Sequence, residues 1–310
     1  MGNQTKVTKF ILLGLSSDPP MQIFLFLVLV VIYVITLIVN VVIILVIRAD
    51  PHLHIPMYFF LSYLSFVTIC YSSAIILKML VIFLDENKTI SADGCFAQIF
   101  FILLPDGAEI FILPAMAYDC YAAICDPLRY MEPMSKGICV LLVSGAWVIG
   151  FINAQLNTGF ALRLPICGLN QTSHFSCELP PQLHLSCADT FTNQVVLLTS
   201  AVILGSSSFL FTLISYIHII SAILRIQSAQ GRRKAFSTCS SHLIVVGLWY
   251  LTGSFQYTKP SSVSSVALDE MFSVQYNILT PMLNPIIYSL KKEEVKRVLG
   301  KILGTWKFLK

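Results

Sequence analysis

The sequence predicts an all-α membrane protein: a bundle of seven transmembrane helices followed by a short helix lying at the membrane interface. Three observations carry this. Charged residues make up only 12% and hydrophobic residues 56% of the 310 residues, whereas a soluble domain is roughly 25% charged. Seven apolar segments, 21–47, 57–84, 95–118, 139–162, 191–224, 235–257 and 271–290, are each long enough to cross hydrocarbon as a helix. Lysine and arginine gather on alternate connectors between them.

Within the segments the only formal charges are Lys78, Asp106 and Glu109. A helix of a soluble core shows a polar face every third or fourth residue, so these segments read as lipid-solvated helices whose amides are satisfied internally. Residues 1–20 hold a short apolar run at 10–15, too short for a signal-peptide core, and the first span is read as an uncleaved anchor. Proline and charge mark the connectors 48–56, 85–94 and 259–270. After the last span, Val295, Val298, Leu299, Ile302, Leu303 and Trp306 recur at helical spacing, with Lys296, Arg297 and Lys301 elsewhere on the wheel. That pattern predicts a helix lying on the inner leaflet. The chain thus divides into an extracellular stretch, 1–20, a transmembrane domain, 21–290, and a cytoplasmic amphipathic tail, 291–310.

With the N-terminus outside, 14 of the 20 lysines and arginines fall on the cytoplasmic side, among them Arg48, Arg129, Lys136, Arg225 and the run Arg232-Arg233-Lys234. The bias favours N-out, C-in. The net charge of +4 is therefore topological and calls for no nucleic acid. The three sequons, at Asn3, Asn87 and Asn170, all fall on the side so assigned as outer. Cys95, Cys167, Cys177 and Cys187 lie there too, an even set in oxidising surroundings that predicts two disulfides. His174-x-x-Cys177 and His184-x-x-Cys187 have a spacing that could hold a soft metal. Disulfide formation removes the thiolates, and no metal site is expected.

Four functional classes use such a bundle. A transporter favours paired broken helices and internal symmetry, and the chain shows no repeat. A retinal protein needs a Schiff-base lysine, and the last span has none. A membrane enzyme needs a nucleophile–base pair or a metal cluster, and neither HExxH nor GxSxG occurs. A receptor remains.

Longer motifs sharpen this. Span three ends Met116-Ala117-Tyr118-Asp119-Cys120-Tyr121-Ala122-Ala123-Ile124-Cys125-Asp126-Pro127-Leu128-Arg129-Tyr130, and span six opens Lys234-Ala235-Phe236-Ser237-Thr238-Cys239-Ser240-Ser241-His242. Span seven closes Pro281-Met282-Leu283-Asn284-Pro285-Ile286-Ile287-Tyr288. With Pro56-Met57-Tyr58-Phe59-Phe60-Leu61-Ser62 and Ser215-Tyr216, the set resembles the odorant (olfactory) receptors, a branch of the rhodopsin-like G-protein-coupled receptors, over essentially the whole chain. The resemblance implies a plasma-membrane receptor of sensory neurons. Such a protein binds small volatile odorants, activates a heterotrimeric G protein of the olfactory stimulatory type, and needs no cofactor.

The resemblance also implies sites. The odorant pocket is expected among the outer halves of spans three, five, six and seven. It nominates Ile102, Leu103, Asp106 and Gly107, then Ser200 and Leu204, Tyr250, Gly253 and Tyr257, and Asn277. Disulfides are expected between Cys95 and Cys177 and between Cys167 and Cys187. Switching and G-protein coupling are expected of Asp119, Cys120, Tyr121, Tyr216, Asn284, Pro285 and Tyr288. Asn284-Pro285 breaks the helix ladder, and the tyrosines can bond in one arrangement and release in another. Glu109 is expected one turn deeper than Asp106 on the same side.

Three positions depart from the family pattern. Thr68 stands where span two usually carries aspartate, Pro114 interrupts span three, and Cys120 replaces the arginine of the Asp-Arg-Tyr motif. Pro114 costs about 3 kcal/mol in a helix interior unless neighbours compensate. Cys120 leaves Asp119 without its arginine partner and the active state without a contact to the G protein. The alternative reading is a receptor-like binding protein that couples poorly.

Overall fold

The computed structural model describes residues 9–12, 18–85, 88–127, 129–130, 132–166, 171–172 and 176–258, together with Val274, Gln275, Ile278, Leu283 and Ile287. Helix α1 spans Pro19–Ala49. Its first turn holds two prolines, whose fixed φ suits a helix start and whose missing N–H has no partner there anyway. Pro51 ends it at the other side, and the chain makes one 3-10 turn, Pro51–Leu53, capped by the Asp50 carboxylate accepting from the His52 backbone N–H at 2.9 Å. Helix α2, Pro56–Leu84, again begins on proline.

Helix α3, Ala92–Cys125, opens under Ser91, whose hydroxyl accepts from the Gly94 N–H at 3.1 Å, a side-chain N-cap. Helices α4, Lys136–Ala161, the short α5, Leu179–His184, α6, Phe191–Arg225, and α7, Ala229–Thr258, complete the order. Five of the described helices, α1 to α4 and α6, are long and apolar enough to cross a membrane, and α7 adds a sixth with a 45° bend between Ala229–Ser237 and Cys239–Gly253. The seventh predicted span is described only at five residues. Of these, Ile278 is buried against Leu29, Tyr71, Ile75, Ile76, Met79 and Ile102. The tail 291–310 lies outside the described residues.

Several helices run past the apolar segments that predict them: α3 continues to Cys125 and α7 begins at Ala229. Helical hydrogen bonding does not stop where hydrocarbon stops, so hydropathy reads the buried portion of each helix and not its ends. Helix α3 is the axis of the bundle. It buries Ile99, Leu103, Ala108, Ile112, Leu113 and Ala117, while α6 turns Leu210, Phe211, Ile220 and Leu224 outward. Exposed apolar rows of this kind face lipid, where no hydrophobic force drives helices together and close packing takes its place.

The closest packing lies between α3 and α4. A Cβ on Gly150 would stand 2.5 Å from the Leu104 carbonyl oxygen and 2.9 Å from the Ala108 nitrogen, and one on Gly107 would stand 2.7 Å from the Gly150 Cα. Both positions admit glycine alone, because the obstacle is backbone.

The all-α expectation missed one element. Strand β1, Lys9–Leu12, pairs antiparallel with β2, Thr89–Ser91, and parallel with β3, Gln171–Thr172, in the order β2-β1-β3. Phe10 and Leu12 are wholly buried and pack with Ile82, Ile90, Cys95 and Leu179, closing one end of the bundle. The 10–15 run is in part this strand. Strands of two to four residues, drawn from three distant connectors, are too short to show a period of two.

Gly150→Val should lower stability by about 1–3 kcal/mol through overpacking, read as thermal unfolding of the purified protein. Gly159→Val, where nothing lies within 4 Å of the added Cβ, should leave the midpoint unchanged.

Candidate functional site

Pro114 fixes the centre of the bundle. As one of two prolines inside α3, with Pro105, it has no N–H for the carbonyl of Ile110, four residues before it. The Ser208 hydroxyl of α6 donates to that Ile110 carbonyl at 2.5 Å, and the Tyr250 hydroxyl of α7 stands 2.5 Å from Ser208 Oγ. Since Ser208 spends its proton on Ile110, Tyr250 donates to Ser208. The cost expected of Pro114 is thus offset by a chain of hydroxyls from two other helices. Trp249 and Phe209 hold the Tyr250 ring edge-on, with centroids 5.1 and 5.3 Å away.

Above this floor lies a cavity of about 500 Å³ walled by α3, α4, α6 and α7. Its volume is that of a small-molecule site. Leu103, Ile110, Leu197, Leu204, Phe209 and Trp249 give it apolar walls, and Asp106, Asn153, Asn157, Ser200 and Tyr250 add polar groups. Asn153 and Asn157 sit one turn apart on α4. Asn157 Nδ2 donates to the Asn153 carbonyl and to its Oδ1, both at 3.0 Å, and to Ser200 Oγ at 3.3 Å, which ties α4 to α6.

Of the nominated pocket residues, Leu103, Asp106, Ser200, Leu204, Tyr250 and Gly253 line this cavity. Two do not. Ile102 packs toward α1 and α2, among Leu29, Tyr71 and Ile278, and Gly107 lies against Gly150 in the α3–α4 contact. The Tyr257 side chain and Asn277 lie outside the described residues. Glu109 is buried but does not line the cavity: the lining face of α3 carries Leu103, Asp106 and Ile110, and Glu109 falls about 60° from Asp106 on the side away from the other two. Asn153 and Asn157 were missed. Two amides at i, i+4 within an otherwise apolar span were the available signal, since intramembrane polar groups face protein or a cavity.

Toward the other end of α3, Asp119 is 2% exposed and accepts the Tyr130 hydroxyl at 2.7 Å. The expectation that Asp119 lacks a partner is corrected here: without the motif arginine, a tyrosine from the loop before α4 bonds the carboxylate. Burial, and then the neighbouring Asp119 charge, push the Tyr130 phenol above its ordinary range, so it remains a donor. Cys120 is buried among Ala117, Tyr216, Ile219 and Cys239. The Tyr216 hydroxyl meets His242 Nδ1 at 2.6 Å while His242 Nε2 meets the Leu113 carbonyl at 3.0 Å. One tautomer serves both, with the proton on Nε2. His242 is therefore a direct link from α7 to α3. Tyr121 packs between Tyr118 and His218, with ring centroids 5.7 and 5.6 Å away. The Thr68 hydroxyl is turned to its own helix, donating to the Leu64 carbonyl at 2.9 Å.

Cys95 and Cys177 form a disulfide with Cα atoms 5.4 Å apart, within the range such bonds require. Gln98 secures the same loop: its Oε1 accepts from the Cys177 N–H at 3.1 Å and its Nε2 donates to the Ala74 carbonyl at 2.9 Å. Cys187 is disulfide-bonded, and Cys167 lies outside the described residues, as do Asn3, Asn87, Asn170, Asn284, Pro285 and Tyr288.

Known proteins resemble this chain over nearly its whole length. The family model described as olfactory receptor matches residues 29–305. The chain is 48% identical to human olfactory receptor 2F1 over 306 residues, covering 99% of this chain and 96% of that one. It is 50% identical to human olfactory receptor 5A1 over 301 residues, 97% of this chain and 96% of the other. Mouse olfactory receptor 5G9 is 47% identical over 311 residues, 99% and 98% of the two chains.

Ser208→Ala should destabilise the protein by about 1–3 kcal/mol, since it leaves a buried carbonyl unpaired. In a Pro114→Ala background, where α3 can again bond Ile110 internally, the same substitution should cost much less. A double-mutant cycle on thermal unfolding measures this coupling, and additive effects would refute the compensation.

Proposed function

Because this chain belongs to the olfactory receptor family, we propose that it binds a small volatile odorant in the cavity walled by α3, α4, α6 and α7. It is a multi-pass membrane receptor of the seven-helix G-protein-coupled type and not an enzyme. The observation that carries the ligand reading is the cavity itself: about 500 Å³, apolar on most sides, with a polar edge at Asp106, Asn157 and Ser200. The apolar walls favour a volatile molecule, and the polar edge orients a ligand bearing an alcohol, a carbonyl or an amine.

The membrane orientation proposed is N-terminus outside and C-terminus in the cytoplasm of a plasma membrane, supported by the basic connectors and the three sequons of the sequence. The transducer is then a heterotrimeric G protein of the olfactory stimulatory type, meeting the end of the bundle that carries Asp119, Cys120 and Tyr216. Odorant bound against Tyr250 acts on the hydroxyl chain to Ile110, three residues from the carbonyl that His242 holds. A ligand with different affinity for two settings of these contacts shifts their populations.

Cys120 weakens this coupling. A guanidinium offers five donors to a transducer, whereas a thiol buried among Ala117, Tyr216 and Cys239 offers none of comparable strength. Charged hydrogen bonds contribute on the order of 1.5–3 kcal/mol, so activation should fall by roughly ten- to a hundredfold while fold and odorant binding persist. The alternative, a receptor-like binding protein with little signalling, is the limit of the same effect.

An odorant screen scored by cyclic-nucleotide output, at surface expression matched between parent and Cys120→Arg, tests the coupling. The arginine variant should signal roughly ten- to a hundredfold more strongly, and equal output would show that position 120 is not the bottleneck. For any odorant so found, Leu204→Trp should raise the half-maximal concentration at least about tenfold by filling the cavity. An unchanged dose response would move the binding site elsewhere.

A further inference from the structure

A second cavity, of about 370 Å³, lies at the far end of the bundle from the β1 sheet, where the end of α1, the 3-10 turn, the start of α2 and the start of α4 meet. Leu53, Met134 and Cys139 form its floor, each at most 3% exposed. Arg48, in the last turn of α1, and Lys136, the first residue of α4, stand at its mouth with His54. No carboxylate lines it. Neither Arg48 nor Lys136 makes an ion pair with a described residue, so neither basic side chain is neutralised there.

Its depth in the membrane follows from the sequence. Arg48 comes directly after the apolar segment 21–47, and Lys136 comes just before the one that starts at 139, which puts both at headgroup level. From the mouth an apolar track leads toward the hydrocarbon. The Phe59 and Tyr63 rings of α2 have centroids 4.9 Å apart, the Phe66 ring beyond them stands 5.9 Å from that of Trp147 of α4, and Val140, 54% exposed, lines the cavity with Phe59 and Tyr63. Two unneutralised cations above an aromatic groove complement a molecule with an anionic head and an apolar chain.

We propose that this cavity holds one anionic phospholipid, its phosphate between Arg48 and Lys136 and one acyl chain along Phe59, Tyr63 and Val140. A soluble anion would gain nothing from the groove, and a zwitterionic lipid such as phosphatidylcholine brings a quaternary ammonium that the two cations repel, so its head offers them no net charge. The site is independent of the odorant reading and of which leaflet this end faces, and it would clamp α1 to α4 across α2.

The test uses the full chain in neutral detergent, offered phosphatidylserine and phosphatidylcholine in equal amounts, with retained lipid counted by native mass spectrometry. The parent should keep phosphatidylserine over phosphatidylcholine by roughly tenfold to thirtyfold, the effect of two basic side chains at a membrane surface. Arg48→Gln with Lys136→Gln should abolish the preference. Arg48→Lys with Lys136→Arg should preserve it, as should the control pair Arg232→Gln and Arg233→Gln. A preference that survives neutralisation, equal retention of the two lipids by the parent, or displacement by water-soluble glycerophosphoserine would each overturn the site. A second arm needs no variant: phosphatidylserine should raise the parent's thermal midpoint by several degrees more than phosphatidylcholine does, and equal shifts would also overturn it.

Discussion

The carbonyl of Ile110 is the group on which the middle of this bundle depends. Pro114 removes its helical donor, and in a membrane interior no water replaces it; an unpaired group there costs several kcal/mol. Ser208 must therefore come from α6, and Tyr250 from α7 completes the chain. Three residues on, the Leu113 carbonyl meets His242 at 3.0 Å. A single turn of α3 thus carries two ties to α7, one by way of Ser208 and one direct. The cavity lies on one side of that turn and the Tyr216–His242 contact on the other.

Backbone geometry explains why the space opens where it does. At Gly107 and Gly150 helix α3 is pressed onto α4, and at Asn157 and Ser200 a longer polar contact holds α6 away. Glycine permits the approach on one face, and side-chain length sets the separation on the other. The result is a cavity with α4 as one wall and Tyr250 as its floor. The disulfide at Cys95 and the buried strand β1 close the end of the bundle beyond it.

Hydropathy made the helices legible, because a lipid-facing span announces itself by what it lacks. The pairing of helices was not, since Leu198 and Val202 read the same facing lipid or facing protein. Ile102 and Gly107 were nominated with Leu103 and Asp106 from one stretch of α3, yet helical geometry spreads the four over about 140° of the wheel, with Leu103 and Asp106 in the middle and Ile102 and Gly107 at the edges. Pro114 was visible as an anomaly in the sequence, while its compensation by Ser208 depends on a contact across 98 residues. Tyr130 stayed hidden for a similar reason. The carboxylate of Asp119 needs a donor, and with cysteine at 120 that donor comes from the following loop. Cys120 itself was legible as a loss. What it packs against, Tyr216 and Cys239, depended on how α3, α6 and α7 converge.

The most direct measurement is the density of a bound odorant in a cryo-electron microscopy structure of the receptor with any agonist that activates it. Density is expected between α3, α4, α6 and α7, in contact with Leu204 and Tyr250 and with its polar end toward Asp106, Asn157 or Ser200. An agonist bound elsewhere, with that cavity empty and Tyr250 still donating to Ser208, would contradict the account.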